Sequence, residues 1–301
     1  MAINSEGKLE ITDLDFDTVK SNFQTFLSQQ NGFTDYNFEG SGMSVLMDLL
    51  AYNTHYLAFH ANMLANEMFL DTSLTRASAV SHAKSLGYTP SSVKASKAIV
   101  TITVSGVPTT QTSLTLAAGT TFSTSVNDIS YTFVTDSDHT ATSDNGVFTF
   151  SDIAIYEGSR ISFQYVVNTS DLEQQFVIPS ANADTSTLLV RVQNSSTDTT
   201  TTTYTLNTDY TSLNSTSTKY FLQEVEDGRF EIYFGDGITG KSLSNGNIVL
   251  LDYVVTNGND ADGASSFTAT STVGGYSNVT VLATSNASGG SPSESVDSIK
   301  F

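Results

Sequence analysis

MSVLMDLLAYNTHYLAFHANMLANEMFL, residues 43–70, sets the architecture of the N-terminal third of this chain. Val45, Leu49, Tyr52, Tyr56, Phe59 and Met63 recur at spacings of three and four and form one row of a helix. Leu46, Leu50, Leu57 and Leu64 form a second row. A helix apolar around this much of its circumference has to be covered on most sides. Asp48, Asn53, His55, His60, Asn62, Asn66 and Glu67 interrupt the run, so it does not read as a membrane span. Two readings stand side by side: the helix is the core of its own domain, or it is an interface for a partner chain.

The flanking sequence predicts two further helices. One starts after Asp13 or Asp15, both good N-caps, and carries Phe16, Val19, Phe23, Phe26 and Leu27 on one stripe. Asn31-Gly32 ends it, and the loop FTDYNFEGSG follows. Another helix is read as capped by Asp71-Thr72-Ser73; it carries Leu74, Val80, Ala83 and Leu86 and stops at Gly87, with Pro90 beyond. If the long helix faces a partner, the residues that would line the interface are Phe16, Phe23, Phe26, Leu46, Leu50, Tyr52, Tyr56, Leu57, Phe59 and Met63.

Beyond Pro90 the period changes from helical to two. KAIVTITVS, TTFSTSV, VFTFSDIAIY, RISFQYVV, STLLVRVQ, YFLQEV, RFEIYFG and IVLLDYVV are short β-branched or aromatic runs separated by Gly, Asn, Asp and Ser turns. The fold class is therefore α+β, an N-terminal helical segment followed by mostly antiparallel β-modules. The expected division is 1–92 helical, 93–196 a first β-module, 197–288 a second, and 289–301 the start of another helix. The tract NSSTDTTTTT between the modules reads as a linker or an exposed edge strand.

Composition narrows the function. Net charge is −19, and the 12 Lys and Arg residues are scattered singly, so no basic patch suits nucleic acid. The acidity keeps the chain soluble and mutually repelling until specific contacts form. There are no cysteines, which removes disulfides and thiolate metal sites. The opening residues have neither the basic nor the apolar region of a secretory signal.

One motif points to chemistry. Gly235-Asp236-Gly237-Ile238-Thr239-Gly240-Lys241-Ser242 matches the phosphate-binding pattern G-x-x-x-x-G-K-[ST], with a strand before it. That loop works through a following helix whose N-terminus faces the phosphate. Here SLSNGN follows Lys241, with a strong turn signal at Asn245-Gly246, and the next apolar strand begins at once. A parallel crossover needs ~10 residues or more, so the motif reads as a glycine-rich turn between strands. Gly235, Asp236, Gly237 and Gly240 are its structural residues. His55 and His60 are five apart, which is not the spacing of a helical metal pair. No catalytic residue, cofactor or metal is assigned.

Near the end, Gly289-Gly290 precedes Ser291-Pro292-Ser293-Glu294, which reads as a capping box with proline at the first helical position. Val296 and Ile299 begin an apolar stripe. A helix announced so fully and then cut at Phe301 is expected to continue in a longer protein.

Residues 14–98, from LDFDTVKSNF to VKASKA, resemble the N-terminal region of the baseplate wedge proteins of T-even-like contractile-tailed phages. So does RFEIYFGDGITGKSLSNGNIVLLDYVVTNG, residues 229–258, whose FGDG-x-x-G element is shared with baseplate J-like proteins. The resemblance implies a structural virion component, assembled in the host cytoplasm, with no enzymatic role. It implies partners too: other copies of the same protein and other wedge proteins, joined through helical bundles near the N-terminus. The wedges would close a ring around the tail hub that rearranges on sheath contraction, largely through C-terminal regions. A receptor- or glycan-binding tail protein is the alternative suggested by the Thr- and Ser-rich β-region, and a nucleotide-binding enzyme is the third reading. Neither nucleic acid nor membrane is expected as a partner.

Overall fold

A computed structural model of the chain describes residues 2–3, 9–10, 15–30, 32, 40–209 and 213–301. Contacts divide it into two units: Met1–Tyr88 with Ser295–Phe301, and Thr89–Glu294.

The first unit is helical. A short antiparallel pair, β1 (Ala2–Ile3) and β2 (Leu9–Glu10), precedes α1 (Phe16–Ser28), α2 (Gly42–Glu67) and α3 (Arg76–Ser85). Asp15 caps α1 by accepting from the Thr18 amide at 3.1 Å and hydroxyl at 2.5 Å. The alternative cap Asp13, Asn31 and the loop residues 33–39 lie outside the described residues. Ser41 caps α2 through the Ser44 amide at 3.0 Å. α3 is capped by Thr75, not by residues 71–73. The reason is Glu67, at the end of α2, whose carboxylate accepts from the Leu74 amide at 2.9 Å and the Thr75 hydroxyl at 2.8 Å. It holds the connecting turn together and delays the next helix.

The second unit holds two sheets. β3 (Lys97–Val104), β4 (Ser113–Leu116), β5 (Thr121–Val126), β6 (Ile129–Thr135), β7 (His139–Asp144) and β8 (Val147–Glu157) build most of the first. β9 (Ser159–Val166), β10 (Phe176–Val177), β11 (Ala183–Gln193), β12 (Thr201–Leu206), β13 (Lys219–Glu224), β14 (Phe230–Phe234) and β15 (Ile248–Val255) build the second. The chain then returns to the first sheet with β16 (Thr268–Ala269) and β17 (Val279–Ser288), and ends in α4 (Val296–Ile299). The orders are β16-β5-β6-β8-β3-β17, with β7 attached at β8 and β4 at β7, and β10-β14-β13-β12-β11-β15-β9. Among the described residues every strand pairing is antiparallel except β12 with β13. Alternation supplies each core: Ala98, Val100, Ile102 and Val104 of β3 with Phe122, Phe133 and Phe148 in one, and Val190, Ile232, Val249 and Leu251 in the other.

The sheets are therefore not consecutive modules. The second is inserted into the first, and the boundary expected at 196/197 falls inside the β11–β12 hairpin of a single sheet. β9 and β15 lie side by side, from Ser159 opposite Val255 to Val166 opposite Ile248, so the excursion starts and ends at one place. Gly158 makes the turn between sheets with φ +121°; a Cβ there would sit 2.0 Å from the Val255 carbonyl oxygen. Buried Glu157 closes the junction by accepting from the Thr256 hydroxyl (2.5 Å) and the Asn257 amide (2.9 Å) and side chain (2.8 Å). The Thr-rich tract is no linker: Asn194–Thr200 form a turn closed by Asn194 N–H to Thr200 O at 3.0 Å, and Thr201 begins β12.

The capping box expected at Ser291 is not formed. Ser291 bridges to Lys94, and the Glu294 carboxylate accepts from the Ser91 amide at 2.9 Å. The helix starts later, at Val296, capped by Ser295. Pairing with the 91–94 strand-like segment captures the backbone that a helix start at Ser291 would have used.

Candidate partner-binding surface

α2 is 26 residues long, about 39 Å at the helical rise. Its buried positions are Ser44, Met47, Ala51, Asn62, Ala65 and Asn66. These fall at helical spacings on one side, and all but Met47 are small or polar. The large apolar residues point the other way. Leu46, Leu50, Tyr52, Tyr56, Leu57, Phe59 and Met63 are exposed, between 42 and 61%. Val45, Leu49 and Leu64 are more exposed still, and Met68 and Phe69 just beyond the helix are exposed as well. Tyr52 stacks on Tyr56 with ring centroids 6.2 Å apart, and His60 sits edge-on to Tyr56 at 4.5 Å and to Phe59 at 5.9 Å. The result is a continuous aromatic ridge flanked by leucines.

α1 supplies the rest. Phe16 and Phe23 are half-buried and Phe26 is exposed. Lys20 reaches Asp48 of α2 at 2.6 Å and ties the two helices together. Of the ten residues the sequence singles out, then, Phe16 and Phe23 turn partly inward and eight are exposed on the helical unit. Leu74 and Leu86, which the sequence placed on the third helix, and Tyr88 beyond it are also exposed apolar side chains outside those ten. Their exposure depends on where α3 packs, which no periodicity reports. A monomer rarely leaves so much contiguous apolar surface in water; patches of this kind mark association sites.

The glycine-rich turn has different geometry. Asp236 accepts from the amides of Ile238 at 2.9 Å and Thr239 at 2.7 Å, which hold its carboxyl below the usual carboxylate range. The Gly237 amide donates to Gly240 O at 2.9 Å, Gly240 to Asn214 O at 3.1 Å and Lys241 to Ser217 O at 2.9 Å. The amides that would cradle a phosphate are thus bonded within the chain. No helix follows Ser242, and residues 241–247 run as a loop into β15. Gly235 and Gly240 are in close approach: a Cβ on Gly235 would lie 2.3 Å from the Gly240 carbonyl carbon. Side chains at these positions would break the crossing.

The outward rows of α2 give the N-terminal unit, which is helical, an exposed apolar face. Residues 15–88 match the family described as baseplate wedge protein gp6-like, helical domain. Across the whole chain the similarity is to baseplate wedge protein gp6 of Enterobacteria phage T4, 30% identical over 285 residues, an alignment that covers 89% of this chain and 41% of that protein. The chain thus spans about two fifths of the length of the curated relative it matches. Among solved structures, a chain of the anti-feeding prophage baseplate aligns over 94% of this chain and 49% of its own, with 11% identity and a TM-score of 0.27. That score is too low to carry the fold.

Proposed function

We propose that this chain is a structural component of a phage tail baseplate wedge, and that the outward face of α2, with Phe26 of α1, is where it joins other wedge proteins. The observation that supports this most directly is the inversion of α2, which buries alanine, serine and asparagine and exposes leucine and tyrosine. Such a helix gains more from a helical bundle with other chains than from its own domain. The similarity of residues 15–88 to the gp6-like helical domain supports the same assignment. Its neighbours are other wedge proteins and further copies of itself, within a ring around the tail hub that rearranges on sheath contraction. The chain acts in the virion after assembly in the host cytoplasm, by association rather than catalysis, and takes neither nucleic acid nor membrane as partner. Among the described residues no helix is long and apolar enough to cross a membrane. Asp236, Gly235, Gly237 and Gly240 serve a structural turn.

Co-expression with the other wedge proteins of the same phage, followed by co-purification, tests the assignment. Leu50→Glu with Leu57→Glu is expected to abolish recovery of the wedge partner while the far-UV circular dichroism of the chain is unchanged. Full recovery of the partner by that folded variant would show that this face is not the joint.

A further inference from the structure

Each sheet has one edge closed by a strand of only two residues, β16 in the first and β10 in the second. Short edge strands are a common protection against unwanted pairing. The opposite edges are long. β17, on the first sheet, breaks register twice along β3, at Ala283/Ser285 and at Ser285/Ser288, and those irregularities blunt it. β9, on the second sheet, is different. Its eight residues pair with β15 without a break, so its outer edge is an unbroken template with no strand partner among the described residues.

The usual defences are missing from β9. It contains no proline and no lysine. Its single charge, Arg160, is turned onto Asp252 of β15 at 3.3 Å, and Ser162 also donates to that carboxylate. Val166 O is taken by the Gln174 side chain at 2.8 Å, which leaves Ile161–Tyr165 as the open stretch. On the core-facing side of this stretch, Ile161 and Phe163 lie beside Tyr253 and Leu251 yet remain 39 and 40% exposed. Phe163 and Tyr165 begin an edge-to-face aromatic row, at 5.0 Å, that continues to Phe176 at 5.6 Å. The core of the second sheet is open at this edge.

We propose that β9 pairs antiparallel with β9 of a second copy of this chain, about a two-fold axis normal to the sheet at Phe163. The sequence is self-complementary in that register. Phe163 meets its counterpart, Ile161 meets Tyr165, and Ser162 meets Gln164, so across Ile161–Tyr165 apolar faces apolar and polar faces polar, and beyond it Arg160, held on Asp252, comes opposite Val166. Any partner with one charge on the apolar side would be rejected. The pairing also suits a chain of net charge −19, because it brings two copies together where neither presents a free carboxylate. Backbone bonds and one row of side chains make a small interface, so the dimer forms with rising concentration. It uses none of the α2 surface, and it rests on the proposed function only in that copies of the chain are neighbours there.

The absence of cysteine makes the test specific. Residues directly opposite across an antiparallel pair lie within about 4.4–6.8 Å, the Cα span of a disulfide. Phe163→Cys in the full chain is expected to yield a disulfide-linked dimer on mild oxidation, and Ile238→Cys, exposed in the glycine-rich turn, to stay monomeric. Sedimentation equilibrium of the wild type should show dimers that Ile161→Lys removes, with an unchanged circular dichroism spectrum. Equal cross-linking of the two cysteine variants would overturn the proposal. So would self-association that survives Ile161→Lys and disappears with Leu57→Glu, since that places the contact on α2.

Discussion

At the scale of single residues, the second sheet depends on a carboxylate surrounded by cations. Asp252 is buried on β15, bonded by Arg191 of β11 at 2.6 Å, approached by Arg160 of β9 at 3.3 Å, and bonded by Ser162. Burial alone would raise its carboxyl, but the hydrogen bonds from Ser162 and Arg191 and the charges of both arginines outweigh it and hold it below the usual value. A carboxylate depressed in the folded state stabilises fully above its unfolded value, about 3.9, and that contribution is lost as pH falls through the folded value. Asp252→Asn removes the charge and leaves two arginines facing each other. Loss of one partner from a buried pair costs about 3–5 kcal/mol; with Arg191 partly exposed to water, the lower end is expected, about 3 kcal/mol. Urea denaturation should show it at pH 7, with the difference between wild type and variant shrinking below pH 4. A constant difference down to strongly acidic pH would mean that Asp252 holds no depressed carboxyl.

At the scale of elements, the inverted helix makes two opposite predictions for one segment. Ala51 is fully buried on the inward stripe of α2, so Ala51→Leu forces volume into a packed contact. It is expected to cost about 1–3 kcal/mol in thermal or urea unfolding. Leu57→Glu on the outward row should change stability by no more than about 0.5 kcal/mol, the range for surface substitutions. If Leu57→Glu were the more damaging of the two, α2 would face the other way. Whether this face turns inward or outward could not be read from the sequence. Periodicity placed α2 within a few residues and showed it apolar nearly all round, so both sides qualified as core by hydrophobicity. The side turned to the chain's own fold is set by close approach, which favours alanine and serine, and apolar counting ranks those residues last. The strands followed the same logic. Runs rich in β-branched and aromatic residues, such as KAIVTITV and IVLLDYVV, were legible, whereas β7 (HTATSD) and β12 (TTTYTL) carry little apolar signal and owe their strand form to their neighbours. The glycine-rich turn was legible because its chemistry is local: Asp236 reaches amides only two and three residues away.

At the scale of the whole molecule, chain order and spatial order diverge. The second sheet interrupts the first, and the chain returns from β17 to finish in the helical unit, where Val296 and Ile299 of α4 pack on Ala79, Val80 and Ala83 of α3. No window of sequence short enough to show a period could reveal contacts more than two hundred residues apart. One physical consequence is that the helical unit draws part of its core from the far end of the described chain. α4 is a single turn, too short to be stable in isolation, so it is held there by Ile299, which is buried. Ile299→Ala is expected to destabilise the helical unit by about 2 kcal/mol, the low end for deletion of a buried isoleucine side chain. Because the sheets occupy a separate unit with their own cores, they should not feel the change. Hydrogen–deuterium exchange separates these outcomes: amides of α3 should exchange faster in the variant, while those of β3 and β15 keep wild-type protection. Uniformly faster exchange across both units would mean that they unfold together, and that Ile299 supports the whole chain rather than the helices alone.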